Sequence, residues 1–96
     1  MIIAQVSIAP IGVGTSLSGY VKIAIDEIRK EGVHFETNAM GTVIETENLE
    51  SLFEVIKKAH EAVVSAGAKR VITEIKIDDR RDKKATIATK LASLKK

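Results

Sequence analysis

The chain has no cysteine, no tryptophan and a single proline, Pro10, among its 96 residues. Without thiols there is no disulfide, no thiolate nucleophile and no cysteine-based metal centre. Aromatic side chains are confined to Tyr20, Phe35 and Phe53, too few for the platforms on which single-stranded nucleic acids stack. A surplus of one charge is missing too. The 15 basic and 13 acidic residues leave +2, with the signs interleaved along most of the chain, so no broad phosphate-binding field and no nucleic-acid partner are expected. No basic leader precedes the apolar start Met-Ile-Ile-Ala-Gln. No apolar run approaches the roughly 20 residues that cross a bilayer, so no membrane partner is expected and the default location is cytoplasmic. A domain of this length also lacks the volume to enclose a deep active site, which leaves a face, a loop or a subunit boundary for any ligand.

What is present is periodicity. In MIIAQVSIAP, Ile2, Ala4, Val6 and Ile8 alternate with Ile3, Gln5, Ser7 and Ala9, a strand that Pro10 ends. IGVGTS is a glycine-bearing loop, and Ser16 or Ser18 is placed to cap a helix whose apolar stripe is Leu17, Val21, Ala24, Ile25 and Ile28, stopping at Gly32. HFETNAMGTVIETE, residues 34 to 47, reads as two strands joined through Met40 and Gly41. Asn48 caps a second helix with an inner face of Leu52, Phe53, Ile56, Ala59 and Val63, closed by Gly67. RVITEIKID alternates again as a fourth strand, and after the charged turn DDRRDKK the tail places Ile87, Leu91 and Leu94 on one face of a short helix at about residues 83–95.

This order predicts one α+β domain over residues 1–96, with a core at about 2–81. Its architecture is a ferredoxin-like βαββαβ sandwich, a four-stranded antiparallel sheet with two helices on one face plus the short C-terminal helix. With Phe35 and Ala39 under the helices, alternation sends Glu36, Asn38 and Met40 to the other face, beside Ile3, Gln5, Ser7, Ile72, Glu74 and Lys76. Such a mixed row suits a subunit interface, a ligand surface, or both.

Sharper motifs are weaker. Gly12 and Gly14 lack the third glycine of a dinucleotide fingerprint and the Lys-Ser/Thr ending of a P-loop, so the segment reads as a flexible loop that, with Ser7, Ser16 and Ser18, rims a pocket at the sheet edge. His34 and His60 lack companions at metal-ligand spacing and are assigned structural roles. Glu36, Glu45 and Glu74 share strands without any spacing that forces them together, no nucleophile and base set stands out, and no catalytic residue or metal site is assigned. DDRRDKK reads as a solvated turn.

The strings AQVSIAPIG, SLSGYV, ETNAMGTVIE and LFEVIKKAHEAVVSAGAKRVITEIKIDDR resemble the small thiamine-binding-protein family, which includes YkoF-like proteins. The likeness runs from about Ile2 to Arg81. It implies a ferredoxin-like domain without catalytic activity, with thiamine or its hydroxymethylpyrimidine portion as ligand and no other cofactor. It further implies a homodimer or homotetramer built through sheet faces or edges. Carried onto this chain, the family's polar positions fall on Ser7, Asn38, Met40 and Thr42. Glu36 or Glu74 would offset the thiazolium charge, Ser7 and Asn38 would bond the pyrimidine, Met40 would pack on a ring, and a phosphorylated ligand would draw on the Gly12–Ser16 loop or a lysine. Some members carry two such domains in one chain, so association would supply the second half here. The alternative reading is a structural or regulatory interaction module whose face only builds the assembly, with no vitamin ligand.

Overall fold

A computed structural model describes residues 1–14 and 17–95. Its elements run β1 (Ile2–Pro10), α1 (Ser18–Lys30), β2 (His34–Asn38), β3 (Gly41–Thr46), α2 (Leu49–Ser65), β4 (Val71–Asp79) and α3 (Ile87–Ser93). All strand pairings are antiparallel, in the order β2-β3-β1-β4. This is the ferredoxin-like α+β fold read from the sequence. β1 sits inside the sheet, and its even-numbered residues point at the helices. Ile2, Ala4, Val6 and Ile8 pack there with Ile44 of β3, with Ala24 and Ile28 of α1, and with Leu52, Val55, Ile56, Ala59 and Val63 of α2. Ile28, Ile44, Leu52 and Val63 are fully buried, each worth roughly 1.5–3 kcal/mol in apolar transfer.

The helix ends follow local chemistry where the sequence supplies it. Asn48 accepts the Ser51 amide at 2.8 Å and starts α2. Gly32 and Gly67, at φ +74° and +112°, take the left-handed positions just beyond α1 and α2. At α1 the expectation differs from the structure. The N-cap is Leu17, which offers no acceptor, and Ser18 is the first helical residue, while Ser16 lies outside the described residues.

Three packing expectations are corrected. Phe53 is half exposed and Val55 takes the inner position, because the buried stripe of α2 runs Leu52, Val55, Ile56, Ala59, Val63. Ala39 is exposed in the hairpin turn, and Met40 is a turn residue rather than a strand residue. The sheet face away from α1 and α2 is not left open throughout. α3 is anchored to it by the Glu45 carboxylate, which accepts the Ile87 amide at 2.7 Å, and by the ion pair of Lys90 with Asp78. Ile87 and Ile3 are buried there, whereas Leu91 and Leu94 remain exposed. The contact with Lys90 holds the Asp78 carboxyl below the usual carboxylate range.

An Ile44→Ala substitution is expected to cost about 3 kcal/mol in urea unfolding. Phe53→Ala should cost a small fraction of that, since its ring is half in water; equal losses would contradict the core assignment.

Candidate functional site

The site begins with the end of a hairpin. Asn38 and Gly41 face each other across β2 and β3, and only Ala39 and Met40 link them, one residue earlier than the Met-Gly connection expected from the sequence. The Asn38 side-chain oxygen accepts from the Met40 amide at 2.8 Å and the Gly41 amide at 3.1 Å, the self-bonding that suits asparagine to turns. Gly41 suits its neighbour: a Cβ there would stand 3.0 Å from the Val6 carbonyl oxygen, close enough that the strand would have to shift by a few tenths of an ångström. The last β1–β3 register pair is therefore Val6 with Thr42. β1 runs on to Pro10, accompanied by β4 alone. The sheet has a notch, bounded by the Ser7–Pro10 stretch of β1 on one side and the tip of the hairpin on the other.

Two hollows meet at this notch. On the helix side, a cavity of about 150 Å³ is roofed by Val21, Ala24, Ile25 and Ile28 of α1 and floored by Val6, Ser7 and Ile8, with Thr37, Asn38, Met40 and Thr42 closing its end. On the opposite face, a shallow groove of about 430 Å³ is lined by Gln5, Ser7, Met40, Glu74, Ile75 and Lys76. Ser7 and Met40 belong to both. The part under α1 is apolar apart from a few hydroxyl and amide groups, the usual make-up of a small-molecule site. Thr42 is buried, and its hydroxyl lies 3.5 Å from that of Thr37. That separation is long against the ~2.7–2.8 Å typical of hydroxyl pairs, so both groups keep capacity for a further partner.

The seven residues singled out from the sequence are distributed unevenly around this geometry. Ser7, Asn38, Met40 and Thr42 line the cavity, although Thr42 faces the helices. Glu74 joins Ser7 and Met40 in the groove. Glu36 lies apart, in a third hollow of about 580 Å³ between α3 and β2–β3, which it shares with Asn38, Ile3 and Leu91. Ser16 lies outside the described residues. The three strand carboxylates do not form a cluster: Glu45 anchors α3, and Glu36 and Glu74 occupy different hollows.

His60 bonds Thr73 at 2.6 Å, a structural use, and His34 is exposed. No group of three or more metal-ligating side chains occurs among the described residues. In the charged turn, Arg80 pairs with Asp82 and Arg81 with Asp79, each at 2.7 Å. The Arg80 guanidinium holds the Asp82 carboxyl down to about 2. Two of the turn's four basic residues are thus neutralised within it, while Lys83 and Lys84 form no ion pair among the described residues. Sequence reasoning missed Thr37 as a lining group, and took Val21, Ala24 and Ile25 for core alone. The available signal was length. β1 has nine residues and β3 has six, so one strand must overhang.

Comparisons with known proteins point the same way. A family model described as thiamine-binding protein matches residues 4–95. A UPF0045 protein of Methanothermobacter thermautotrophicus is 46% identical over 96 residues, covering 99% of this chain and 97% of that one. The UPF0045 protein YqgV of Bacillus subtilis is 45% identical over 101 residues, covering 100% and 96%. Among solved structures, a hypothetical protein from Methanocaldococcus jannaschii superposes with a TM-score of 0.90 at 44% identity, covering 98% of this chain and 95% of that one.

Because Asn38 closes the turn, Asn38→Leu should lower stability by about 1 kcal/mol in urea unfolding, since water replaces the lost acceptor at two exposed amides without holding the turn. An unchanged unfolding midpoint would show that the turn does not depend on that oxygen.

Proposed function

The chain belongs to the thiamine-binding protein family, and on that premise we propose that it is a non-enzymatic binding protein for thiamine or its hydroxymethylpyrimidine portion, acting as a homo-oligomer. The observation that carries this reading is the notch, where a small cavity under α1 and a shallow groove on the other face share the Ser7 and Met40 lip. Thiamine is a flat aminopyrimidine joined through one methylene to a cationic thiazolium. The cavity is below the roughly 300–1,000 Å³ of sites for drug-sized ligands, so it suits one ring rather than two. The pyrimidine fits it chemically: α1 supplies apolar contact to the ring faces, and the Thr37 and Thr42 hydroxyls address its nitrogens and amine. Met40 provides a polarizable thioether at the lip. Beyond the lip, the Glu74 carboxylate faces the groove in which the thiazolium would lie, and supplies the charge that the scarce aromatic residues do not.

Association is supported by apolar surface that the monomer leaves in water. β4 is an edge strand with Ile72, Ile75 and Ile77 exposed, although Ile75 and Ile77 point to the helix side. A long edge of this kind invites pairing with another strand, and a second copy of the chain is the partner that symmetric assembly supplies. The same isoleucines favour the second reading, an interaction module without a vitamin ligand. The two differ in what the notch does.

Titration calorimetry with thiamine, on protein whose mass has been measured by light scattering, separates them. Saturable heat in the micromolar range, weakened about fivefold by Thr42→Val through loss of one hydrogen bond, supports the binding reading. A folded oligomer that gives no heat sinks it and leaves the module. A monomer at all concentrations, with Ile75→Asp changing nothing, removes the association.

A further inference from the structure

The row of side chains that leaves the notch alternates in charge. In the β1–β4 register, Ser7 lies opposite Glu74 and Gln5 opposite Lys76. Opposed residues share a sheet face, so the face away from α1 and α2 presents the Ser7 hydroxyl, the Glu74 carboxylate beside it, and the Lys76 ammonium two residues further along β4. The step from Glu74 to Lys76 is roughly 6.6 Å along the strand. All three belong to the groove that shares its lip with the cavity under α1.

Lys76 is free for a ligand. The next acidic side chain on that face, Asp78, is engaged by Lys90 from α3, and neither Glu74 nor Lys76 forms an ion pair among the described residues. Were only a cation to be held here, a lysine beside Glu74 would work against it, since like charges on one sheet face repel. A ligand with a cation near the cavity and an anion beyond it removes the conflict and matches the row.

Resting on the thiamine-class reading above, we infer that this site selects a phosphomonoester of its ligand over the free alcohol. The neutral ring enters the cavity under α1, the thiazolium lies over Glu74, and the phosphate on the hydroxyethyl arm reaches Lys76. The groove is open to solvent, so the added contact is worth a modest factor, not orders of magnitude. The anion is held by this lysine.

The test is calorimetric titration of the intact protein with thiamine and with thiamine monophosphate, each at low and at moderate salt. Wild-type protein should bind the monophosphate about fivefold more tightly than thiamine, with the ratio shrinking as salt rises. Lys76→Gln should bring the ratio to about one, and Lys76→Arg should restore most of it. Thiamine bound as tightly as its monophosphate by the wild type overturns the inference and leaves the binding reading intact. A ratio that survives in Lys76→Gln overturns it as well, because the phosphate is then held elsewhere. Binding of neither ligand overturns the function reading itself, and the inference falls with it.

Discussion

A single carboxamide oxygen decides where the β2–β3 hairpin stops. By accepting from the Met40 and Gly41 amides, Asn38 ends the ladder while β1 still has four residues to run, Ser7 to Pro10. Everything distinctive about the molecule sits at that overhang. Had β3 begun about three residues earlier in the same register, it would have run beside β1 to Pro10 and filled the notch, and the two faces of the sheet would have been separate surfaces. Gly41 reinforces the arrangement from the other side, since only a residue without a Cβ lies against the Val6 carbonyl without displacing it.

The other end of the same sheet face shows the opposite treatment. There α3 lies across the strands, held by Glu45 at its first amide and by Lys90 on Asp78. Ile3 is buried beneath it, while Gln5 and Ser7, further along β1, stay exposed. One strand thus passes from a covered region to an uncovered one within a few residues. The short helix, the least conspicuous element in the sequence, defines the limit of the groove.

Legibility followed the range of the interactions involved. Strand alternation, the three-and-four spacing of the helices, the Asn48 cap and the Gly32 and Gly67 stops are local, and they were readable. The element order then left little choice of topology. What the residues could not announce were relations between segments distant in sequence: the pairing of Val6 with Thr42, the crossing of α3 over the sheet, and the sharing of Ser7 by two hollows. Phe53 shows the limit in miniature. Leu52 and Phe53 are both apolar neighbours on α2, and which of them turns inward depends on helix phase against the sheet, a tertiary fact. Glu45 is another instance, a carboxylate that looked available for chemistry and serves to hold a helix end.

The three helices also differ in how they start. Asn48 and Thr86 close the first turns of α2 and α3 with side-chain acceptors, whereas α1 has a leucine at the corresponding place. α1 is the helix that roofs the cavity, through Val21 and Ala24 near its beginning. Fraying of the first turn would free Val21 at the rim of the cavity, while Ala24 and Ile28 stay in the core, and local events of that kind need far less free energy than global unfolding. The cavity thus has a loosely started rim and a rigid back wall: Val21 can yield while Ala24 and Ile28 remain packed on the strands.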